Sequence, residues 1–257
     1  NHSYGEYVFD WAWADAYQRN GLNYYPKLVA TIPFSPVPCT KWLSNTSYSE
    51  LQAFEQVKAV TAEQNYSSYH YLFPSTPLTT EIETDNNDNN KHWIERFGHQ
   101  FHWFNQDQNK QPLTSFSQYL DLMMARKRKN ILKERKKIAD AGFTCYWREG
   151  DQVTEQEVEI FYHCYQSTYN KRGRIESASK SCPPHIGKTL AQHVHIIFCQ
   201  NTNDNEIVAA ALYFSSDDTL YGRYWGCIEN YELLHFEACY YQGIEFAIKN
   251  GLRVFNP

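Results

Sequence analysis

The sequence predicts an α+β fold in two units, each a mixed, largely antiparallel sheet flanked by helices. Three observations predict it. Residues 194–200, 206–214 and 219–226 are rich in β-branched and aromatic residues, and only Asn201-Thr-Asn-Asp-Asn205 and Ser215-Ser-Asp-Asp218 separate them, the spacing of an antiparallel meander. Stretches with apolar residues at helical spacing lie on both sides of that meander. The tripeptide Asn-Gly-Leu occurs at 20–22 and again at 250–252, each time after a helix-like stretch and before an aromatic entry to a strand, a weak internal repeat.

The elements follow in order. Residues 7–20 read as a helix stopped by Gly21, and 28–32 as a strand whose continuation Pro33, Pro36 and Pro38 end. A helix over 49–64 and a strand over 69–73 come next, then an Asn/Asp-rich loop at 85–90 and a strand over 97–104. Three capping-box patterns mark helix starts: Ser47-x-x-Glu50, Ser115-x-x-Gln118 and Thr154-x-x-Glu157. Residues 143–148 form a strand and 154–171 a helix ahead of the meander. After it, a helix over 235–250 turns Phe236, Tyr240, Gly243, Ile244 and Ala247 inward, with Tyr240 in the core. Gly251 stops that helix, and 252–255 is a last strand. The chain divides into residues 1–112 and 113–257. The first unit is expected to lack its beginning and the second its end.

Composition narrows the function. No apolar run is long enough to span a bilayer, and the first residues lack the basic start and apolar centre of a signal peptide, so the protein reads as soluble and cytoplasmic. The seven cysteines are odd in number, widely spaced and without a CxxC pair, which favours reduced packing residues over disulfides or zinc. The net charge of −5 conceals an asymmetry: residues 126–137 carry eight basic residues and one acid, a net of +7 against −12 for the rest. By the 3.6-residue period, Met124, Ile131 and Ile138 form an apolar stripe, and Arg126, Lys129, Lys133, Lys136 and Lys137 cluster opposite. That run is either a solvated helix face or a phosphate-binding one.

The order strand, helix, three antiparallel strands, helix, strand resembles the first two thirds of a GNAT acyltransferase unit, and the first half of the chain has the order with which such a unit ends. Longer motifs sharpen the resemblance. They are His2-Ser-Tyr-Gly-Glu-Tyr-Val-Phe-Asp-Trp-Ala-Trp13, Tyr25-Pro-Lys-Leu28 with Pro33-Phe34, Gln100-Phe-His-Trp103, Arg126-Lys-Arg-Lys-Asn130 with Glu134-Arg135, Leu220-Tyr-Gly-Arg-Tyr-Trp-Gly226, and His235-Phe-Glu-Ala-Cys-Tyr-Tyr-Gln-Gly-Ile-Glu245. In this order they resemble the FemAB-like N-acyltransferases of the GNAT superfamily. The segment Ile175-Glu-Ser-Ala-Ser-Lys-Ser-Cys-Pro-Pro184 departs from that family's aromatic-rich pattern. The resemblance implies two GNAT-like units with a ligand cleft between or beside them. It also implies N-acyl transfer from a thioester or ester donor to a small-molecule or peptide amine.

The resemblance implies acyl-CoA or aminoacyl-tRNA as the donor. GNAT enzymes seat the coenzyme pyrophosphate on helix N-terminal amides in a Gly-rich turn, whereas Cys227-Ile-Glu-Asn-Tyr-Glu-Leu-Leu234 has no glycine and two acids. The resemblance to Fem-type enzymes implies, as an alternative, an aminoacyl-tRNA-dependent transferase that extends a peptide or peptidoglycan precursor, for which a basic helix has a use. A binding module for RNA or a phosphorylated ligand, without catalysis, is the alternative of another class. Lys127, Arg128 and Arg135 are the candidate phosphate grips, the last two bordering the apolar stripe where packing can order them. His235 is a candidate base and Glu237 a proton relay or amine ligand; helix packing and capping explain the same two residues. Tyr224 is a candidate proton donor to the leaving group. Arg223 alternates with it, so only one of the two faces the site. His2, Glu6 and Asp10 fall at i, i+4 and i+8, a candidate substrate-facing stripe. His102, Trp103 and Tyr241 complete the substrate candidates. No ligand cluster has the spacing of a metal site.

Overall fold

The computed structural model describes residues 10–31, 35–44, 47–75, 78, 94–171 and 187–257. The chain divides into two compact units between Phe97 and Gly98.

The first unit carries α1 (Trp11–Arg19), β1 (Leu28–Ala30), α2 (Glu50–Glu63) and β2 (Tyr69–Tyr71), with β1 and β2 paired in parallel. The capping box of α2 is shifted from the expected one. Ser49 Oγ accepts from the Gln52 amide at 3.1 Å, and Gln52 Oε1 accepts from the Ser49 amide at 2.9 Å. Ser47 with Glu50 is therefore not the cap, because the Glu50 carboxylate is taken by Lys41, Tyr71 and Ser75. A sealed ion pair lies at the start of α1: Asp10 Oδ2 accepts from the Lys27 ammonium and the Tyr24 hydroxyl.

The second unit is a six-stranded mixed sheet between two helical layers. Its strands are β3 (Trp103–Phe104), β4 (Phe143–Glu149), β5 (Val194–Asn201), β6 (Ile207–Ser215), β7 (Thr219–Cys227) and β8 (Val254–Asn256), in the spatial order β3-β8-β7-β6-β5-β4. Only β7–β8 is parallel. The expected 97–104 strand shrinks to two residues, since Trp103 and Phe104 pair only with Phe255 and Val254. This pairing places β3 in the second unit, so the division falls at 97/98 where the sequence suggested 112/113.

Period-two alternation builds the two cores. Ile197, Cys199, Ala209, Ala211 and Tyr213 point to one face and pack with α3 (Phe116–Asp121), α4 (Ala125–Asp140) and α6 (Leu234–Lys249). Ile196, Phe198, Ala210 and Leu212 point to the other, under Phe161 and Tyr165 of α5 (Glu155–Lys171). Gly226 lets α5 sit down on β7, since a Cβ there would lie 1.9 Å from the Cys164 carbonyl oxygen. The box at Thr154 and Glu157 forms as expected, each side chain accepting the other's amide at 3.2 and 2.9 Å. Ser115 Oγ caps α3 by accepting the Gln118 amide, while Gln118 Oε1 accepts from Thr114.

Helix α6 consists of an α turn (Leu234–Phe236), a π-helical segment (Glu237–Tyr241) and an α-helical body (Gln242–Lys249). The π segment inserts a spacing of five between buried Ala238 and buried Gly243, where the sequence suggested an unbroken helical period. That phase change moves Phe236 and Tyr240 outward, to 50% and 37% exposure, so Tyr240 is not a core residue.

The two Asn-Gly-Leu corners share one hydrogen-bond pattern. Asn20 and Asn250 donate side-chain amides to the carbonyls of Ala16 and Phe246, four residues back. Gly21 and Gly251 adopt φ of 70° and 66°, and their amides reach three residues back. Leu22 and Leu252 donate to Tyr17 and Ala247, five residues back, which closes a Schellman-type end in both units. No helix among the described residues is long and apolar enough to cross a membrane.

Candidate functional site

The π segment of α6 and the basic helix α4 meet in the second unit, and the buried Glu237 carboxylate is the centre of their contact. Arg135 approaches it side-on: Nε donates to Oε1 and Oε2 at 3.2 and 3.1 Å, and Nη2 donates to Oε1 at 2.9 Å. Nη2 also donates to Glu245 Oε2 at 2.9 Å, and Gln242 Nε2 donates to Glu237 Oε1 at 2.8 Å. The guanidinium lies over the Phe116 ring, 4.7 Å from its centroid. Burial alone would lower the Arg135 pKa; the hydrogen bonds and charge of Glu237, then of Glu245, outweigh it and raise the pKa, so the cation is permanent. Glu237 and Glu245 occupy Nε and Nη2, and Nη1 has no hydrogen-bond partner among the described residues.

Around this pair, Tyr241 donates its hydroxyl to Glu134 Oε2 and sits 6.3 Å from Phe116, ring to ring. Burial, then the hydrogen bond to Glu134, raises the Tyr241 pKa, and the phenol stays protonated. The entry to α6 is strained: Leu233 holds φ of 67°, the left-handed region that a branched side chain disfavours. Strained entries and π segments concentrate at functional sites because the surrounding packing must maintain them. The exposed His235 stands at this entry, 5.3 Å from the Trp225 ring, 5.8 Å from Phe236 and 5.7 Å from Tyr240. Phe236 and Tyr240 lie 5.8 Å apart with an interplanar angle of 31°, an exposed pair of aromatic faces.

Outside this contact, α4 presents Arg126, Lys127, Lys129, Lys133, Lys136 and Lys137 to solvent. Lys136 pairs with Asp140, and Lys137 lies 3.6 Å from Glu232 in the loop before α6. Arg128 donates from Nη1 to Asp121 at 2.8 Å and remains partly exposed. The buried stripe holds Ile138, with Ile131 partly covered; Met124 is the N-cap and is 74% exposed.

Of the residues singled out from sequence, the fold brings Arg135, Glu237 and Tyr241 together, with His235 on the first turn of the same helix. The sheet separates Tyr224 from them. It lies on the α5 face with its ring 5.1 Å from Tyr165, and Trp225 takes the His235 side instead. Arg223 sits where the β6–β7 register shifts, donating from Nη1 to the Gly222 carbonyl at 2.6 Å with its guanidinium 5.8 Å from the Tyr221 ring. Trp103 packs on the core and against Tyr119, while His102 is exposed beside Phe104. Asp10 belongs to the first unit, and His2 and Glu6 lie outside the described residues. Sequence reasoning missed Glu245, Gln242 and Phe116. Glu245 was recoverable as the acid eight residues beyond Glu237 on a helix facing a basic partner. Among the described residues no cluster of three or more His, Cys, Asp or Glu side chains has metal-site geometry.

The model of the FemAB_like family, peptidoglycan biosynthesis/recognition, matches residues 1–257. Among solved structures, L-PGS from Bacillus licheniformis is similar over 80% of this chain and 56% of its own, at 10% identity and a TM-score of 0.51. FemX is similar over 54% of this chain and 49% of its own, at 11% identity and a TM-score of 0.42. The likeness is one of fold, and the chain spans about half the length of these structures. No curated protein matches the sequence.

Proposed function

Because the chain belongs to the FemAB_like family, we propose that it is an N-acyltransferase of the aminoacyl-tRNA-dependent kind. It moves an aminoacyl group from the ester at the 3′ end of a charged tRNA to an amine of a peptide or peptidoglycan precursor, in the cytoplasm. The observation that carries this reading beyond the family is the packing of the solvent-facing basic helix α4 on the π segment through Arg135 and Glu237. In this reading a polyanion docks along α4, whose Lys137 lies 3.6 Å from Glu232, three residues before His235, and its bases stack on the exposed aromatic pair Phe236 and Tyr240. The β7–α6 junction, residues 228–233, contains no glycine cradle for a coenzyme pyrophosphate, which argues against acyl-CoA. The matching Asn-Gly-Leu corners support a duplicated, GNAT-like origin of the two units.

In this reading the neutral amine attacks the ester carbonyl carbon, a C–N bond forms, and the C–O bond to the ribose breaks. The proton leaving nitrogen passes to His235, and the released ribose oxygen is protonated in turn. Arg135 Nη1 offers a fixed donor to a phosphate or to the oxyanion, its cation held in place by two carboxylates. Glu237, committed to Arg135 and Gln242, positions that donor and is not the base.

The test uses tRNA charged with a labelled amino acid and a peptidoglycan-precursor peptide carrying a free amine. Label should move to the peptide, and ribonuclease treatment of the donor should abolish the transfer. Transfer from labelled acyl-CoA without tRNA, or no transfer from any charged tRNA, would contradict the reading.

A further inference from the structure

The first unit holds a cavity of about 220 Å³ between β1, β2 and α2. Phe54 and Val57 form its apolar side, Tyr69 and Tyr71 its aromatic side, and the partly exposed Trp42 its rim. The single acid on the wall is Glu50, the first residue of α2, where helix amides favour negative charge.

Among the described residues the hydrogen bonds to Glu50 come from neutral donors, the Thr40 side chain among them. Oε1 accepts from the Lys41 backbone N–H at 3.0 Å and from the Tyr71 hydroxyl; Oε2 accepts from Ser75 Oγ at 3.0 Å. Burial would raise the Glu50 pKa, but these bonds hold it below the usual carboxylate range. The group is therefore a full negative charge, and no ion pair reaches it among the described residues. Lys41, the one cation on the wall, sends its ammonium to Cys39 Sγ at 2.9 Å instead. Burial and the Glu50 charge together push the Tyr69 and Tyr71 phenols well above their ordinary pKa, so both stay neutral, and Tyr71 turns its hydroxyl to the carboxylate.

A partly desolvated carboxylate with no ion pair among the described residues attracts a cation, and the apolar and aromatic side chains on the same wall add contact for the rest of the ligand. We propose that this cavity binds an organic ammonium group: a primary amine on a short alkyl stem. Its N–H groups rest on Glu50 and its methylenes lie against Phe54 and Val57, beneath Trp42. A neutral molecule of the same size gains only the apolar half of the site. The inference is separate from the transfer reaction, because recognition depends on charge and cavity shape within the first unit alone.

Titrating n-butylammonium chloride into the full chain, followed by calorimetry and tryptophan fluorescence, should give saturable binding. The neutral n-butanol should bind at least about tenfold more weakly, a difference of one desolvated charge contact. Glu50→Gln keeps the side chain's size and removes its charge; it should weaken the amine by at least about tenfold and leave n-butanol unchanged. Val57→Phe fills the cavity with Glu50 in place and should abolish both. Absence of saturation, equal affinity for amine and alcohol, or Val57→Phe binding like the parent would each overturn the proposal. Should Glu50→Gln fail to fold by circular dichroism, Val57→Phe and the alcohol comparison decide the matter.

Discussion

In the first unit the Lys27 and Asp10 side chains are 3% and 0% exposed and seal one another off, whereas in the second Glu237 is 8% exposed but Arg135 keeps 24% of its side chain open. Tyr24 and Lys27 satisfy the same oxygen of Asp10 and enclose the pair within the unit. Arg135 is instead shared by two carboxylates, and its Nη1 has no hydrogen-bond partner among the described residues. The difference separates a structural pair from a poised one. The first pair is shut off from solvent, while a partly exposed, permanently charged guanidinium held by two carboxylates can also receive an anion.

Removing one partner should therefore hurt the two units unequally. Asp10→Ala removes the carboxylate from a buried ion pair and should destabilise the protein by roughly 3–5 kcal/mol in urea unfolding. Glu237→Ala leaves Arg135 with Glu245 and partial access to water, so its cost should be about 1–3 kcal/mol. Equal losses, or the reverse order, would break the comparison. Burial alone would raise the Asp10 pKa, but the Lys27 and Tyr24 hydrogen bonds and the ammonium charge bring it below the usual range. Its stabilisation is thus complete above the unfolded pKa near 4 and fades as the pH falls through the lower folded value.

Each unit also withdraws a histidine from water, His70 half-buried in the first and His195 buried in the second. His70 is brought down to about 4, first by burial and then by the charge of Lys27; His195 is brought to about 4 by burial and then by His193. His195 Nε2 contacts Ser215 Oγ at 2.9 Å, and its ring packs 4.8 Å from Phe246. Because the folded pKa lies below the unfolded 6.5, the unfolded chain binds more protons between the two values. Stability should be intact above pH 6.5 and fall by up to about 3 kcal/mol per histidine as the pH drops toward 4. His195→Gln should remove only its own share of that slope, leaving the part due to His70. A pH profile unaffected by the substitution would show that His195 is not held neutral.

The smallest effect sharpens the comparison at the helix starts. Ser49→Ala in the first unit and Thr154→Ala in the second each remove one half of a formed capping box, and each should lower stability by about 1 kcal/mol. A markedly larger loss at Thr154 would assign extra weight to Glu157, whose carboxylate also accepts from Arg148 Nε at 3.2 Å.

What the sequence made legible was local. The β5–β7 meander, the basic helix, the Thr154 box and the Gly251 stop all follow from composition and spacing within about a dozen residues, and the ends of the three strands were placed to within a residue. The misses required partners distant in the chain. Residues 103–104 become a strand only because β8 comes alongside, and Ser49 rather than Ser47 caps α2 because Glu50 is claimed by Tyr71 and Lys41. The π segment hid in an apparently regular period: Phe236 and Tyr240 fit an apolar stripe until an extra residue per turn rotates them out. For the candidate site, sequence named Arg135, Glu237 and Tyr241 but not their geometry. It also placed Tyr224 with His235, although strand alternation puts Trp225 there.

The central claim is that the outer face of α4 receives the phosphates of a tRNA donor, and the dependence of tRNA affinity on salt tests it most directly. Lys129 and Lys133 lie on that face, away from the Arg135–Glu237 contact. The parent protein should bind charged tRNA with log Kd rising linearly with log salt, and K129Q/K133Q should lower the slope by about 1.5, the loss of two phosphate contacts. Tight binding with an unaltered slope in the double variant, or no salt-dependent binding by the parent, would contradict the account.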